Sequence, residues 1–349
     1  MYGVAFLLCC LTSLGICMCR YLFTLLTALI LSFLTPVSAR AFDLLPIESA
    51  GLDLGVGYRS DKLDWSISNE SNGGSPDILS ELTWDNLHIL QLQGTGWLEL
   101  GELPFLRRNS LLIATISLGK IYSGDAQDSD YARDGRTHEW SRSVSDADHG
   151  MTADFSSAFG PIFELKKAPG LSVTPLIGYA FNMQALKMSD GEQVISDSIT
   201  RQQYFPTAGL PPPVGKISGL DSTYTAYWYG PWLGLNTDYH VSKKFKMTAG
   251  IEYHWVDYFA QADWNLRSDF DHPVSFEHDA NGTGVVWNFK GRYLIDEKWS
   301  WLLKGNIQRW KTNNGTDRTY FDDGTVGNTR LNKVTWHSYA LTTGLEYLF

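Results

Sequence analysis

The residues best suited to chemistry lie in one acidic run, 124–134, which reads Gly-Asp-Ala-Gln-Asp-Ser-Asp-Tyr-Ala-Arg-Asp. Within it Asp128 and Asp130 are two residues apart. In an extended chain such residues share a face, so their carboxylates would stand about 7 Å apart and point the same way. Like charges so placed raise one pKa and can hold a water between them, which is the arrangement a general base needs. The competing reading is a solvated acidic loop or one that binds a divalent cation. An EF-hand type of calcium site does not fit, because Tyr131 follows Asp130 and neither the Gly nor the closing Glu comes at the required spacing. No metal or other cofactor is therefore expected.

The elements that must position this pair read as strands. Leu52, Leu54, Val56 and Tyr58 interleave with Asp53, Gly55, Gly57 and Arg59, an apolar and a polar face at period two. Ten such segments fall near 50–69, 79–100, 108–123, 151–167, 170–189, 220–239, 244–265, 283–295, 298–312 and 333–349. Short links at 101–107, 168–169, 240–243 and 296–297 alternate with long polar ones at 123–150, 190–219, 266–282 and 311–332. Residues 69–78 form a short exception. An even strand number with short and long connections in turn is the pattern of a transmembrane antiparallel β-barrel in a bacterial outer membrane, its long loops at the cell surface. A soluble sandwich shares the period but not the rhythm. The expected fold class is thus all-β, a transmembrane barrel of about ten strands. Ten strands leave room for buried polar groups and water and not for a wide pore.

An export leader precedes the barrel. Residues 1–41 hold no Asp, Glu or Lys and only Arg20 and Arg40, with an apolar run at 21–34 and Ala39-Arg40-Ala41 as a cleavage signal. Cleavage is expected before Phe42, Met18 is a candidate start, and 42–349 is one barrel domain; a retained anchor over 21–37 is the alternative. All four cysteines lie in the leader, so the mature chain has no thiol chemistry. Losing two arginines takes the net charge from -10 to -12. That balance disfavours a nucleic-acid partner and favours a cationic one.

Several motifs resemble the omptin family of outer-membrane endopeptidases. They are Leu63-Asp64-Trp65, Thr83-Trp84-Asp85, Asp128-Ser129-Asp130-Tyr131 and Gly230-Pro231-Trp232-Leu233-Gly234-Leu235. The ending Thr342-Thr343-Gly344-Leu345-Glu346-Tyr347-Leu348-Phe349 resembles the C-terminal signal of barrels placed by the outer-membrane assembly machinery. The likeness implies a ten-stranded barrel with a catalytic groove at its outer rim, where Asp128 and Asp130 face an Asp-x-His pair. Setting Tyr253-His254-Trp255-Val256-Asp257 on the family's seventh strand puts Asp263-Trp264-Asn265 at that pair. The aspartate is kept and the histidine is replaced by Asn265. Asn takes up no proton near neutral pH, whereas a His general base is worth about 10² to 10⁴ in rate. Asn265→His is therefore expected to restore the arrangement. Asp271-His272 points to opposite faces of an extended chain, and His254 lies too deep. Of the family's Tyr, Glu and Arg set for lipopolysaccharide, only Tyr179 has a counterpart.

The candidate site is Asp128, Asp130, Asp263 and Asn265. The leading expectation is a surface barrel with a degenerate protease site whose acidic groove binds a cationic peptide or protein. The alternatives are an active omptin-type endopeptidase cleaving near basic residues, and a narrow porin-like channel.

Overall fold

The computed structural model describes residues 46–103, 106–207 and 209–349. The leader, its cleavage point before Phe42 and the start at Met18 lie outside the described residues. Thirteen strands form one antiparallel sheet. They are β1 Ile47–Ile67, β2 Ser80–Leu100, β3 Ser110–Arg133, β4 Thr137–Asp146, β5 Met151–Pro161, β6 Phe163–Glu164, β7 Leu171–Ser196, β8 Gly215–His240, β9 Phe245–Asp263, β10 Phe276–Leu294, β11 Trp299–Thr312, β12 Gly315–Tyr320 and β13 Val326–Leu348. A seven-residue helix, α1 Ser198–Tyr204, follows β7. β4 and β5 both lie between β3 and β7, and β11 and β12 both lie between β10 and β13. The ring therefore has ten staves. It closes where β1 pairs with β13, from Gly51↔Leu348 upward. A closed ring leaves no backbone edge for lipid to meet.

Alternation explains why each stave has two faces. On β1 the outward Leu52, Leu54, Val56 and Tyr58 are exposed while Asp53 and Arg59 are buried. Leu90 and Leu92, Leu112 and Leu118, Ile251, Tyr253 and Trp255, and Leu341 and Leu345 continue this exposed apolar belt around the ring. On β1 it covers about 20 Å of strand. A belt so large and continuous is what a bilayer covers. Beyond it the outward positions become polar, as at Lys62 and Asp64 on β1 and Asp125 and Gln127 on β3.

The strands run past the belt. The links 123–150 and 311–332, read from the sequence as long loops, are largely β3–β4 and β12–β13 hairpins, and 190–219 is largely the ends of β7 and β8 with α1. The sheet thus rises well above the lipid at its loop end, opposite the end where the short turns lie. At that upper level the outer face meets water in place of lipid, so the apolar alternation that marks a strand fades while the hydrogen-bond ladder goes on.

Inside, a layer of aromatic rings crosses the barrel. Trp84 of β2 stacks on Tyr224 of β8 at 5.0 Å between centroids. Trp310 lies parallel to Trp336 at 5.3 Å, and Trp228 packs on Tyr258 at 4.4 Å. All six are buried. Gly284 makes room for this layer, since a Cβ there would stand 2.2 Å from the Trp310 ring. Just beneath, Arg59 binds Asp61 through two hydrogen bonds and Asp154 through one, at 2.5–2.8 Å. Asp61 also accepts the Trp336 indole N–H at 3.1 Å and the Gln184 amide at 3.2 Å. Charges buried this deep persist only when paired and hydrogen-bonded in this way.

Candidate functional site

Asp128 and Asp130 sit on the upper part of β3, above the apolar belt. The register puts Leu82 and Ser80 of β2 opposite them on one side, and Ser143 and Ser141 of β4 on the other. Antiparallel partners share a face, and Leu82 and Trp84 point inward. Both carboxylates therefore face the mouth of the barrel. An irregularity in the β2–β3 pairing near Asp85 and His88 sets this orientation, because inward residues are odd below it (Gly119, Ile121) and even above it (Gly124, Ala126).

Serines flank the two acids. The Ser80 hydroxyl pulls the pKa of both down, as the Ser129 N–H does for Asp128 and the Ser141 hydroxyl for Asp130. Burial in the wall, with the charge of Asp130 beside it, pushes the Asp128 carboxyl well above the usual carboxylate range. Burial also raises Asp130, to about 6, against the opposing pull of Ser80 and the positive charges of Arg201 and Arg267. At neutral pH the pair is thus poised to share a proton. Beneath it lies an apolar floor in which Trp65 and Tyr224 pack on Phe276, and Trp264 meets Phe276 at 4.7 Å.

Arg201 of α1 lies over the Trp140 ring at 4.1 Å and donates from Nε to the Gly209 carbonyl. Arg267, in the β9–β10 connection, stacks on Phe270 at 3.9 Å and holds Asp269 through Nε and Nη2. Its charge acts on both aspartates. That connection therefore stands near the acid pair.

Asp263 ends β9, and Asn265 lies in the connection that follows it. On β9 the even residues from His254 to Ala262 are buried, and Asp263 pairs with the exposed Thr223. Asp263 has outward parity, opposite to that of Asp128 and Asp130. Asn265, in the turn past the end of β9, has both polar atoms of its amide bonded. Oδ1 accepts from the Asp221 N–H and the Ser222 hydroxyl at 3.0 Å, and Nδ2 donates to the Gly219 carbonyl at 2.7 Å. Gly219 has φ +77°, so Asn265 fastens a bend in β8 that suits a glycine.

A histidine does meet Asp263. His272 Nδ1 stands 2.6 Å from Asp263 Oδ1, because residues 264–275 fold back over the end of β9. That hydrogen bond raises the His272 pKa. Adjacent residues of an extended strand point apart, but this connection is not extended, so that rule does not keep His272 from Asp263. His254 lies in the lumen with Nε2 2.9 Å from Glu252. Ser80, Ser141, Arg201 and Arg267 carry no sequence signal of their own, since only register and loop packing bring them to the pair. Among the described residues no group of three or more His, Cys, Asp or Glu could hold a metal ion.

Residues 53–349 match the Protochlamydia outer membrane protein family. The chain belongs to that family. Members' shared description and the closed ring agree that this is an outer-membrane β-barrel protein. Among solved structures, the outer membrane protease OmpT from Escherichia coli is similar over 87% of this chain and 98% of its own, with a TM-score of 0.67 and 14% identity. That likeness establishes the omptin-like fold. Ail, the attachment invasion locus protein of Yersinia pestis, gives a TM-score of 0.25 at 10% identity over 86% of this chain and 99% of its own. A FadL homologue from Pseudomonas aeruginosa gives 0.28 at 9% over 86% and 90%. Comparison with curated proteins finds no match.

Proposed function

We propose that this barrel of the Protochlamydia outer membrane protein family is a cell-surface protein whose acidic groove binds a cationic peptide or protein segment, and that the peptidase chemistry of its omptin-like fold is degenerate. One observation carries the reading. Asp128 and Asp130 turn toward the mouth as a pair, with Ser80 and Ser141 opposite Asp130, while both polar atoms of the Asn265 side chain are bonded to β8. A lysine or guanidinium entering the mouth would ionise the pair and gain a charge-assisted hydrogen bond. The loop end is the outer one in this reading, and outer-membrane lipid covers the belt. Lipopolysaccharide at the outward Tyr179 would lack the acidic and basic partners of the omptin set.

A second reading, an endopeptidase cleaving near basic residues, draws on the Asp263–His272 pair, which could supply the missing base. A narrow channel is disfavoured by the ring layer across the lumen. Refolded barrel incubated with fluorescent dibasic peptides separates these readings. Binding without cleavage, weakened by Asp128→Ala, is expected. Cleavage that is lost in both Asp128→Ala and His272→Ala overturns the proposal in favour of the endopeptidase.

A further inference from the structure

Below the aromatic layer the lumen holds a second chamber, a cavity of about 210 Å³ on the side of the short turns. A single water needs roughly 10 to 15 Å³ of such space, and drug-sized ligands occupy pockets of about 300 Å³ or more. The chamber therefore suits a solute of about one sugar ring. Trp228 and Trp336 above it are completely inaccessible, whereas Lys304 is 15% and Arg292 22% exposed toward the short-turn end. The ring layer closes the upper side of the chamber.

The chemistry of the wall narrows the occupant. Arg59, Lys290 and Lys304 are matched by Asp53, Asp154 and Glu252, so the lining has no net charge to select an ion. The remaining polar lining is largely neutral amides and hydroxyls, among them Gln91, Asn182, Asn288 and Asn306. Several buried lining atoms have no hydrogen-bond partner, and they are of both kinds. Asn182 Nδ2 and the Trp232 indole N–H are unmatched donors; Asp53 Oδ2 and Asp154 Oδ1 are unmatched acceptors. Those atoms are closed off within the wall, but the amides and hydroxyls that line the chamber offer both donors and acceptors, which suits a ligand that donates and accepts at many points.

We infer that the lower chamber is a binding site for a small neutral polyhydroxylated solute of the size of a monosaccharide, loaded from the short-turn end. It is separate from the acid pair, since the ring layer divides them. The test uses refolded barrel in a detergent without sugar headgroups, titrated calorimetrically with glucose and with N-acetylglucosamine. Saturable binding of at least one sugar is expected, weakened at least about ten-fold by the double variant Asn182→Ala, Asn306→Ala. Asp128→Ala, at the other site, leaves it unchanged. Linear heats for both sugars mean that only water fills the chamber and overturn the inference. Binding that survives the double variant, or that disappears in Asp128→Ala, places the sugar elsewhere and overturns it too. Trp232→Phe, which keeps the ring and removes the indole donor, gives a second variant should the double one misfold.

Discussion

His272 Nδ1 lies 2.6 Å from Asp263 Oδ1, although nine residues separate them in the chain. The carboxylate holds the imidazole and favours its protonated form. A group whose folded pKa is raised contributes stability below its unfolded pKa and loses it as pH rises through the folded value. His272 should therefore titrate above an ordinary histidine, and Asp263→Asn should bring it back. Imidazole NMR titration of the two forms measures this; identical curves would show that the pair does not persist in solution.

The acid pair gives a lever of the same sign, on carboxylates. Its folded pKa values lie above the unfolded ones, so the folded state holds the extra proton and stability falls as pH rises from the usual carboxylate range through about 6. Asp130→Asn removes the like-charge conflict. It should flatten the pH dependence over that window and raise stability at pH 7. Urea unfolding in detergent across the window is the measurement, and an unchanged slope would count against the coupling.

Asn265 should behave as a fastener. Asn265→Ala removes three hydrogen bonds to β8 and is expected to cost about 1 to 2 kcal/mol, with faster proteolysis near Gly219. Asn265→His should fail to raise peptidase activity, because the side chain at this position is engaged with β8. Appearance of cleavage in that variant would support the alignment of Asp263 and Asn265 with the omptin Asp-x-His pair.

The ring layer is expected to seal the barrel. Trp336→Ala should destabilise it by about 3 to 5 kcal/mol through the cavity left among buried rings. Planar bilayers should be silent with the wild type and conduct once Trp228, Trp310 and Trp336 are all replaced by Ala. Steady conductance from the wild type would contradict a sealed lumen.

The fold was legible wherever lipid forces alternation. All ten staves could be found because Leu52 to Tyr58 and their counterparts must be apolar on one face only. Above the belt that pressure ends, and the outward Asp125 and Gln127 made β3 look like loop. Asp128 and Asp130 were readable because i, i+2 spacing survives in a strand. The setting of Asp263 and Asn265 was not. A shift of one residue reverses every side chain of a strand, and spacing alone could not tell that Asp263 takes the outward parity. His272 reaches Asp263 only through the fold of a connection, and no periodicity records that.

The pairing of β1 with β13 has a consequence for how the molecule is made. The first and final staves are neighbours, so the cylinder can be sealed only after the whole polypeptide is available to the insertion site. Every earlier intermediate is an open ribbon with two unsatisfied margins. Joining the two chain ends and cutting at the turn between β8 and β9 should give a permuted polypeptide of the same shape, with a different stave arriving last.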